Sequence, residues 1–283
     1  MKQAAVLFSG GTDSTAAVVL IAEHFERIHL LTFRHSGLRK VGNSSYNLPA
    51  LQKKFGAGKF VHRVFDTDRL FRALTYERYS QNVRRFGFFN LTTCGFCKLA
   101  MHVRTLLYCL DHGIDEAVDG ANKNMSHFPA QMPEVLALLR GMYARAGIAY
   151  TNPVFDFDFP AEIDWFHKLG LAALARPAEA ANAVTGRTTG QVLFEAGLMP
   201  EENIKGKALD RRLQPHCLQL MLLNVFALGY YIPSHGMERY RRGVADFYRE
   251  KIARCDEWID DYRRNRAAGP LGRWIEAAPI FEE

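Results

Sequence analysis

Ala4-Ala5-Val6-Leu7-Phe8-Ser9-Gly10-Gly11-Thr12-Asp13-Ser14 reads as a strand running into a glycine-rich turn and then a helix. Residues 4–8 have the unbroken apolar character of a strand covered on both faces. Ala17, Val18, Ile21 and Ala22 give residues 14–24 one apolar side at helical spacing. Two glycines between these elements let the backbone turn sharply and approach a ligand closely. The N–H groups of the turn and of the first helical turn then converge on one place, which suits an anion. Ser9, Thr12 and Ser14 add hydroxyl donors. Asp13 fits an anion site only with a divalent metal or an orienting role.

Outward from this turn, the pattern repeats. Residues 28–33, 60–65, 116–118 and 150–155 read as strands, separated by helices over 48–55, 68–83, 98–110 and 133–146. Strands alternating with helices predict βαβ units, a parallel sheet, and ligands at the carboxyl ends of the strands. Beyond Phe159 the strand signal disappears. Long helices are expected over 209–231 and 237–264, and the Gly- and polar-rich stretch 185–207 is expected to loop over something. Two parts follow: an α/β domain over 1–160 and a helical region over 161–283.

No run approaches the roughly 18–20 apolar residues that cross a bilayer, and no secretory leader is visible, so a cytoplasmic protein without a membrane partner is expected. The net charge of +6 favours an anionic partner such as a nucleotide or RNA. Much of the excess stands in Arg239, Arg241, Arg242, Arg249, Lys251, Arg254, Arg263, Arg264 and Arg266, which equally suits the solvated face of a long helix. Five cysteines, an odd number, argue against a disulfide framework. Cys94 and Cys97 have the spacing of a metal or redox pair, just before the helix expected at 98, where the helix dipole and Lys98 would favour thiolate. Cys109 and Cys255 read as structural.

The turn is neither a Walker loop nor a dinucleotide fingerprint. It resembles the S-G-G-x-D-S signature of the PP-loop (N-type) ATP pyrophosphatases at every defined position. That resemblance implies a five-stranded parallel sheet sandwiched by helices. ATP, with Mg²⁺, would lie with its β,γ-phosphates on Ser9, Gly10, Gly11, Thr12, Asp13 and Ser14. Such enzymes cleave ATP between the α and β phosphates and transfer AMP to a carbonyl-type oxygen, which a nucleophile then displaces. Thr32 and Phe33 stand where the family holds adenine by backbone contacts, and Gly120, within Val118–Asn122, stands at its second ligand loop.

The C-x-x-C pair resembles that of the PP-loop tRNA thiolases. Several of those add a distant third cysteine, here Cys217, to hold a [4Fe–4S] cluster. The alternative is a persulfide on Cys97 or Cys94 with Cys217 as partner. The implied substrate is a nucleobase, in tRNA or a small nucleotide, with a sulfur donor protein and a homodimer as further expected partners. Residues 119–129 also resemble the 7-cyano-7-deazaguanine synthases, adenylating enzymes that form a nitrile with ammonia. Their cysteine-rich zinc site is missing here, since only Cys255 follows Cys217. His127 and His216 are acid/base candidates in that reading.

Overall fold

Leu7 pairs with Leu31 on one side and Asp119 on the other, which puts the strand carrying the glycine turn inside the sheet. The structure is a computed structural model that describes residues 2–77, 79–86, 89–158, 186–205, 207–213, 216–217, 224–276 and 280–282. Its elements begin with β1 (Gln3–Leu7), α1 (Thr12–Ile21), β2 (Arg27–Arg34), β3 (Leu38–Arg39), α2 (Leu48–Phe55) and β4 (Phe60–Asp66). Next come α3 (Asp68–Thr75), α4 (Tyr79–Phe86), α5 (Phe89–His112), β5 (Glu116–Asp119), α6 (Pro133–Arg145) and β6 (Ala149–Thr151). The later elements are α7 (Thr189–Glu195), α8 (Ala208–Leu213), β7 (His216–Cys217), α9 (Met237–Asn265), α10 (Pro270–Glu276) and β8 (Ile280–Glu282).

The sheet runs β6-β5-β1-β2-β4-β8. Its first five strands are parallel, as expected, and β8 closes the β4 edge in the antiparallel sense. The chain leaves β1 towards β2 on one side and returns to β5 on the other, so the strand order reverses at β1. At such a reversal the turns after neighbouring strands part and leave a crevice.

Strand side chains alternate between faces, and the two apolar cores follow that rule. Ala5 and Leu7 pack with Leu31, Phe33, Phe65 and the inner faces of α3, α5, α6 and α9. Ala4, Val6 and Phe8 pack with α1, with Leu51 of α2, and with Val192 and Leu193 of α7. Tyr240, Val244, Phe247, Tyr248, Ile252, Cys255, Ile259 and Tyr262 recur along α9 at helical spacing and join the first core.

Four expectations are corrected. The helix expected over 68–83 is broken after Thr75, whose carbonyl takes a hydrogen bond from the buried Asn82 amide 3.3 Å away. The helix expected from 98 already begins at Phe89, so Cys94 and Cys97 stand inside it and gain no dipole from its start. Strands do occur after Phe159: β7 pairs with β3, and β8 with β4. The helix expected over 209–231 is interrupted, because α8 ends at Leu213 and Cys217 lies in β7; residues 214–215 and 218–223 lie outside the described residues.

Candidate active site

Gly10 has φ +77°, and a Cβ there would lie 2.5 Å from the Ser44 Cα. Only glycine meets both conditions. The segment after β3 braces the turn from outside: the buried Asn47 amide donates to the Gly10 carbonyl at 3.0 Å and to Thr15 Oγ1 at 3.3 Å. Ser14 is not the free hydroxyl donor that the sequence suggests. It donates to the Gly11 carbonyl at 3.2 Å, contacts Ser9 Oγ at 3.1 Å, and accepts from the Ser9 N–H at 3.3 Å. The Gly11 N–H also points inward, to Ser9 Oγ at 3.3 Å. This leaves the N–H groups at the start of α1, whose N-cap is Gly11 and which carries no side-chain cap, as the donors that can meet an anion.

Asp13 faces sideways within this turn. Its carboxylate accepts from Thr189 Oγ1 of α7 at 2.7 Å. Burial raises its pKa, against the pull of Thr189 and Lys205, with Asp210 and Asp119 adding to the rise. Gly120 follows β5 at the other wall of the crevice, where a Cβ would sit 2.7 Å from Ser14 N. Its bareness lets the β5 turn lie against the first turn of α1. Before it, Asp119 is buried, yet its pKa is lowered: burial pushes it up, and the Lys98 ammonium 3.0 Å away and the His102 ring outweigh that. Tyr150 donates to the same carboxylate at 3.2 Å. Lys98 thus spends its charge on Asp119 and not on the cysteines, contrary to expectation.

Residues 3–68, the segment from β1 through the brace to the start of α3, match the family model of queuosine biosynthesis protein QueC. The Ser9–Ser14 turn lies inside the matched segment, so the likeness to this family of PP-loop proteins rests on that part of the chain. No curated protein matches the chain. Among solved structures, the "predicted subunit of tRNA methyltransferase" from Methanocaldococcus jannaschii is 17% identical, over 71% of this chain and 92% of that one, at a TM-score of 0.38. A 4-thiouridine synthetase–RNA complex with bound ATP is 13% identical over 100% and 55%, at a TM-score of 0.41. NMN synthetase from Francisella tularensis is 9% identical over 89% and 86%, at a TM-score of 0.37. All three scores lie below 0.5, so these likenesses carry nothing about site or activity.

One strand away from the PP-loop, the structure brings together residues that the sequence leaves apart. His35 follows β2 directly, is buried, and lies 2.8 Å through Nε2 from Cys97 Sγ. Its Nδ1 is 2.7 Å from the Ser36 carbonyl, which can only accept. Nδ1 therefore carries the proton of the neutral ring, and Nε2 offers its lone pair to the Cys97 thiol. Burial lowers the His35 pKa, against the Ser36 carbonyl, Asp68 and Asp66. Asp68 in turn holds Ser36, accepting from its N–H at 2.9 Å and from its hydroxyl. Cys217 is half-buried in β7, opposite Leu38, three residues beyond His35 in the chain. The side chain of Cys94 lies outside the described residues.

Among the described residues no group of three His, Cys, Asp or Glu side chains could hold a metal ion. The Cys97 thiol is engaged by an imidazole. With the Cys94 side chain outside the described residues, the three expected cluster ligands are not all placed. The residues between the two cysteines have a packing role. A Cβ on Gly95 would lie 3.0 Å from both the Phe247 and Tyr248 rings; Tyr248 OH donates to the Gly95 carbonyl at 3.0 Å, and Phe96 meets Phe247 edge-on at 4.7 Å. Cys109 and Cys255 are fully buried; burial pushes the Cys109 thiol up to about 12 and the Cys255 thiol higher still.

Thr32 and Phe33 turn their side chains inward. The Thr32 hydroxyl donates to the Phe8 carbonyl at 2.7 Å, and Phe33 stacks on Phe65. β2 pairs with β1 only as far as Leu31 but with β4 as far as Arg34, so their backbone runs on past the PP-loop strand at the crevice mouth. His127 gives its carbonyl to Tyr240 OH and packs its ring on Phe128; the His216 side chain lies outside the described residues. Several of the late cations have local partners. Arg241 meets Glu134, Arg242 meets Glu238, Arg249 meets Asp246, Arg266 meets Asp111, Arg263 donates to the Ala146 carbonyl, and Arg254 stacks over Trp258. These contacts favour a solvated, packed helix face over an RNA-facing one. Among the described residues no helix is long and apolar enough to cross a membrane.

Sequence reasoning missed His35, Ser44, Asn47 and Thr189. His35 had a usable signal, a titratable residue one step past a parallel strand's carboxyl end. Ser44 and Asn47 stand in a polar stretch after the second strand, and only the fold shows that it reaches the PP-loop.

Proposed function

We propose that this chain adenylates a nucleobase carbonyl with ATP, releases pyrophosphate, and replaces the oxygen with sulfur carried on Cys97. The observation that carries this reading is the Cys97–His35 pair: His35 directly follows β2, the strand paired with the PP-loop strand β1, and Cys97 of α5 lies 2.8 Å from its ring. The uncapped start of α1 holds the β,γ-phosphates and stabilises pyrophosphate as it leaves. Mg²⁺ would be carried mainly on the phosphates, with Asp13 the residue that would help hold it, and would supply neutralisation of the phosphate charge. Thr32 and Phe33 border the adenine, and Gly120 borders the acceptor. Cys217 is the resolving partner for a persulfide on Cys97. Residues 1–160 form the nucleotide-binding part, and 161–283 shape the acceptor side. The acceptor is a nucleobase in tRNA or a free nucleotide, and a persulfide-bearing protein is the donor.

A second reading rests on the family match over residues 3–68: an amide- or nitrile-forming ligase of the 7-cyano-7-deazaguanine synthase type. Both readings require AMP and pyrophosphate in equal amounts from ATP. Sulfur incorporation that needs a persulfide donor and is lost in Cys97→Ser supports the first. Turnover with ammonia that is indifferent to Cys97→Ser replaces it with the second, and no AMP with tRNA or nucleotide acceptors removes both.

A further inference from the structure

We propose that Thr189 is a positioning residue for Asp13, holding one carboxylate oxygen so that the other faces the cation carried by the ATP phosphates. The later part of the chain thereby completes the nucleotide site. Thr189 Oγ1 donates to Asp13 Oδ1 at 2.7 Å, and Asp13 Oδ2 has no hydrogen-bond partner among the described residues. Lys205, Asp210 and Asp119 act on the carboxylate through charge, which does not fix its rotation. The segment that carries Thr189 is built to keep it in place. At its start the Asp158 N–H donates to the Arg187 carbonyl at 3.0 Å. Thr188 then caps α7: its Oγ1 accepts from the Gln191 N–H at 3.2 Å, while Gln191 Oε1 accepts from the Thr188 N–H at 2.9 Å. A Cβ on Gly190 would run into the Glu202 carbonyl oxygen, so α7 lies tight on the chain that follows it. Val192 and Leu193 share one core with Ala16, Ala17 and Val18 of α1. Thr189 itself is buried, and its branched side chain has few rotamers to choose from.

The choice of a hydroxyl has a physical reason. A neutral donor orients a carboxylate without cancelling its charge, which a lysine or arginine in the same place would do. Asp13 stands in the first turn of α1, beside the N–H donors left for an anion. An oxygen fixed there meets a phosphate-bound Mg²⁺ in one geometry, and that ion tolerates little departure from an octahedron. A carboxylate free to swing would pay for its ordering each time a nucleotide entered. The inference rests on the ATP-binding half of the function proposed above, and on neither the acceptor nor the cysteines.

Calorimetry with α,β-methylene-ATP, which resists cleavage between the α and β phosphates, tests this without acceptor or turnover. The full chain is titrated in MgCl₂ and again in EDTA at matched ionic strength. In the wild type Mg²⁺ should tighten binding. Thr189→Val keeps the shape and loses the hydroxyl. It should cut the Mg²⁺ gain by about tenfold, the worth of one hydrogen bond to a charged group, and leave the affinity in EDTA unchanged. Thr189→Ser should restore the gain. Where the valine variant does not fold, Thr189→Ala is held to the same outcomes. A full Mg²⁺ gain without the hydroxyl overturns the proposal, and so does a loss that Thr189→Ser shares. Equal weakening in MgCl₂ and EDTA assigns Thr189 to packing alone and also overturns it. So does a wild type that binds the nucleotide equally well with and without Mg²⁺, whatever the variants do. A wild type that binds the nucleotide in neither buffer removes the ATP reading itself.

Discussion

A methyl group on Gly10 would meet the Ser44 backbone at 2.5 Å from its Cα and 2.8 Å from its carbonyl oxygen, neither of which can rotate away. Gly10→Ala combines this clash with a left-handed backbone, and conformations of that kind cost on the order of 1–3 kcal/mol. We expect the variant to lose ATP binding by calorimetry and to unfold at lower denaturant. A variant that binds ATP as the wild type does would contradict the tight apposition of turn and brace. At this scale the sequence was most legible where chemistry and backbone coincide: Gly10 and Gly11 could be read directly. Ser14 could not, because a hydroxyl in a turn reads alike whether it faces a phosphate or its own backbone. Asp13 was legible as an orienting residue, but its partner Thr189 stands 176 positions away.

Tyr248 and Gly95 set how α9 lies on α5. Tyr248→Phe removes one hydrogen bond to the Gly95 carbonyl at a cost of about 1 kcal/mol, the usual net value. Gly95→Ala drives a methyl against two rings and costs about 1–3 kcal/mol by overpacking. Denaturant melts of the two variants check both magnitudes. Equal, negligible losses would show that the seam between α5 and α9 is loose. This seam also explains why the element boundaries misled. The residues from 89 to 97 have little helical patterning of their own, and their helical state is sustained by the Phe96–Phe247 and Tyr248–Gly95 contacts. β1, β2, α2, β4 and α6 were legible because burial alone dictates their pattern. β7 and β8 were not, being two and three residues long and defined only by the strands they join.

For the whole molecule, acid is the informative stress. Histidine ordinarily titrates near 6.5, but burial, with His112 and Arg27 nearby, lowers His29 to about 4, and burial together with Lys98 lowers His102 to about 3. Both rings must stay neutral in the folded chain, so the unfolded chain binds the extra protons below 6.5. Their contribution is complete above 6.5 and is lost as the pH falls, through about 4 for His29 and about 3 for His102. Denaturant midpoints should stay level from pH 8 to 7 and decline from 6.5 downward. His29→Gln should make that decline shallower, and an unchanged slope would remove His29 from the account. A second expectation concerns the edge of the sheet. Deleting residues 277–283 uncovers β4, and bare edges recruit other strands, so light scattering should show association that grows with concentration. A deletion variant that stays monodisperse would mean that β8 protects nothing.

That same edge puts a clock on biosynthesis. Phe65 and Ile280 are register partners, and more than two hundred positions separate them in the chain. At roughly 5–20 residues per second, a ribosome that has delivered β4 needs roughly 10–40 s more to deliver the strand that covers it. During that interval the nascent sheet offers one side to any passing strand. Slower translation lengthens the exposure, and the yield of soluble protein should fall with it.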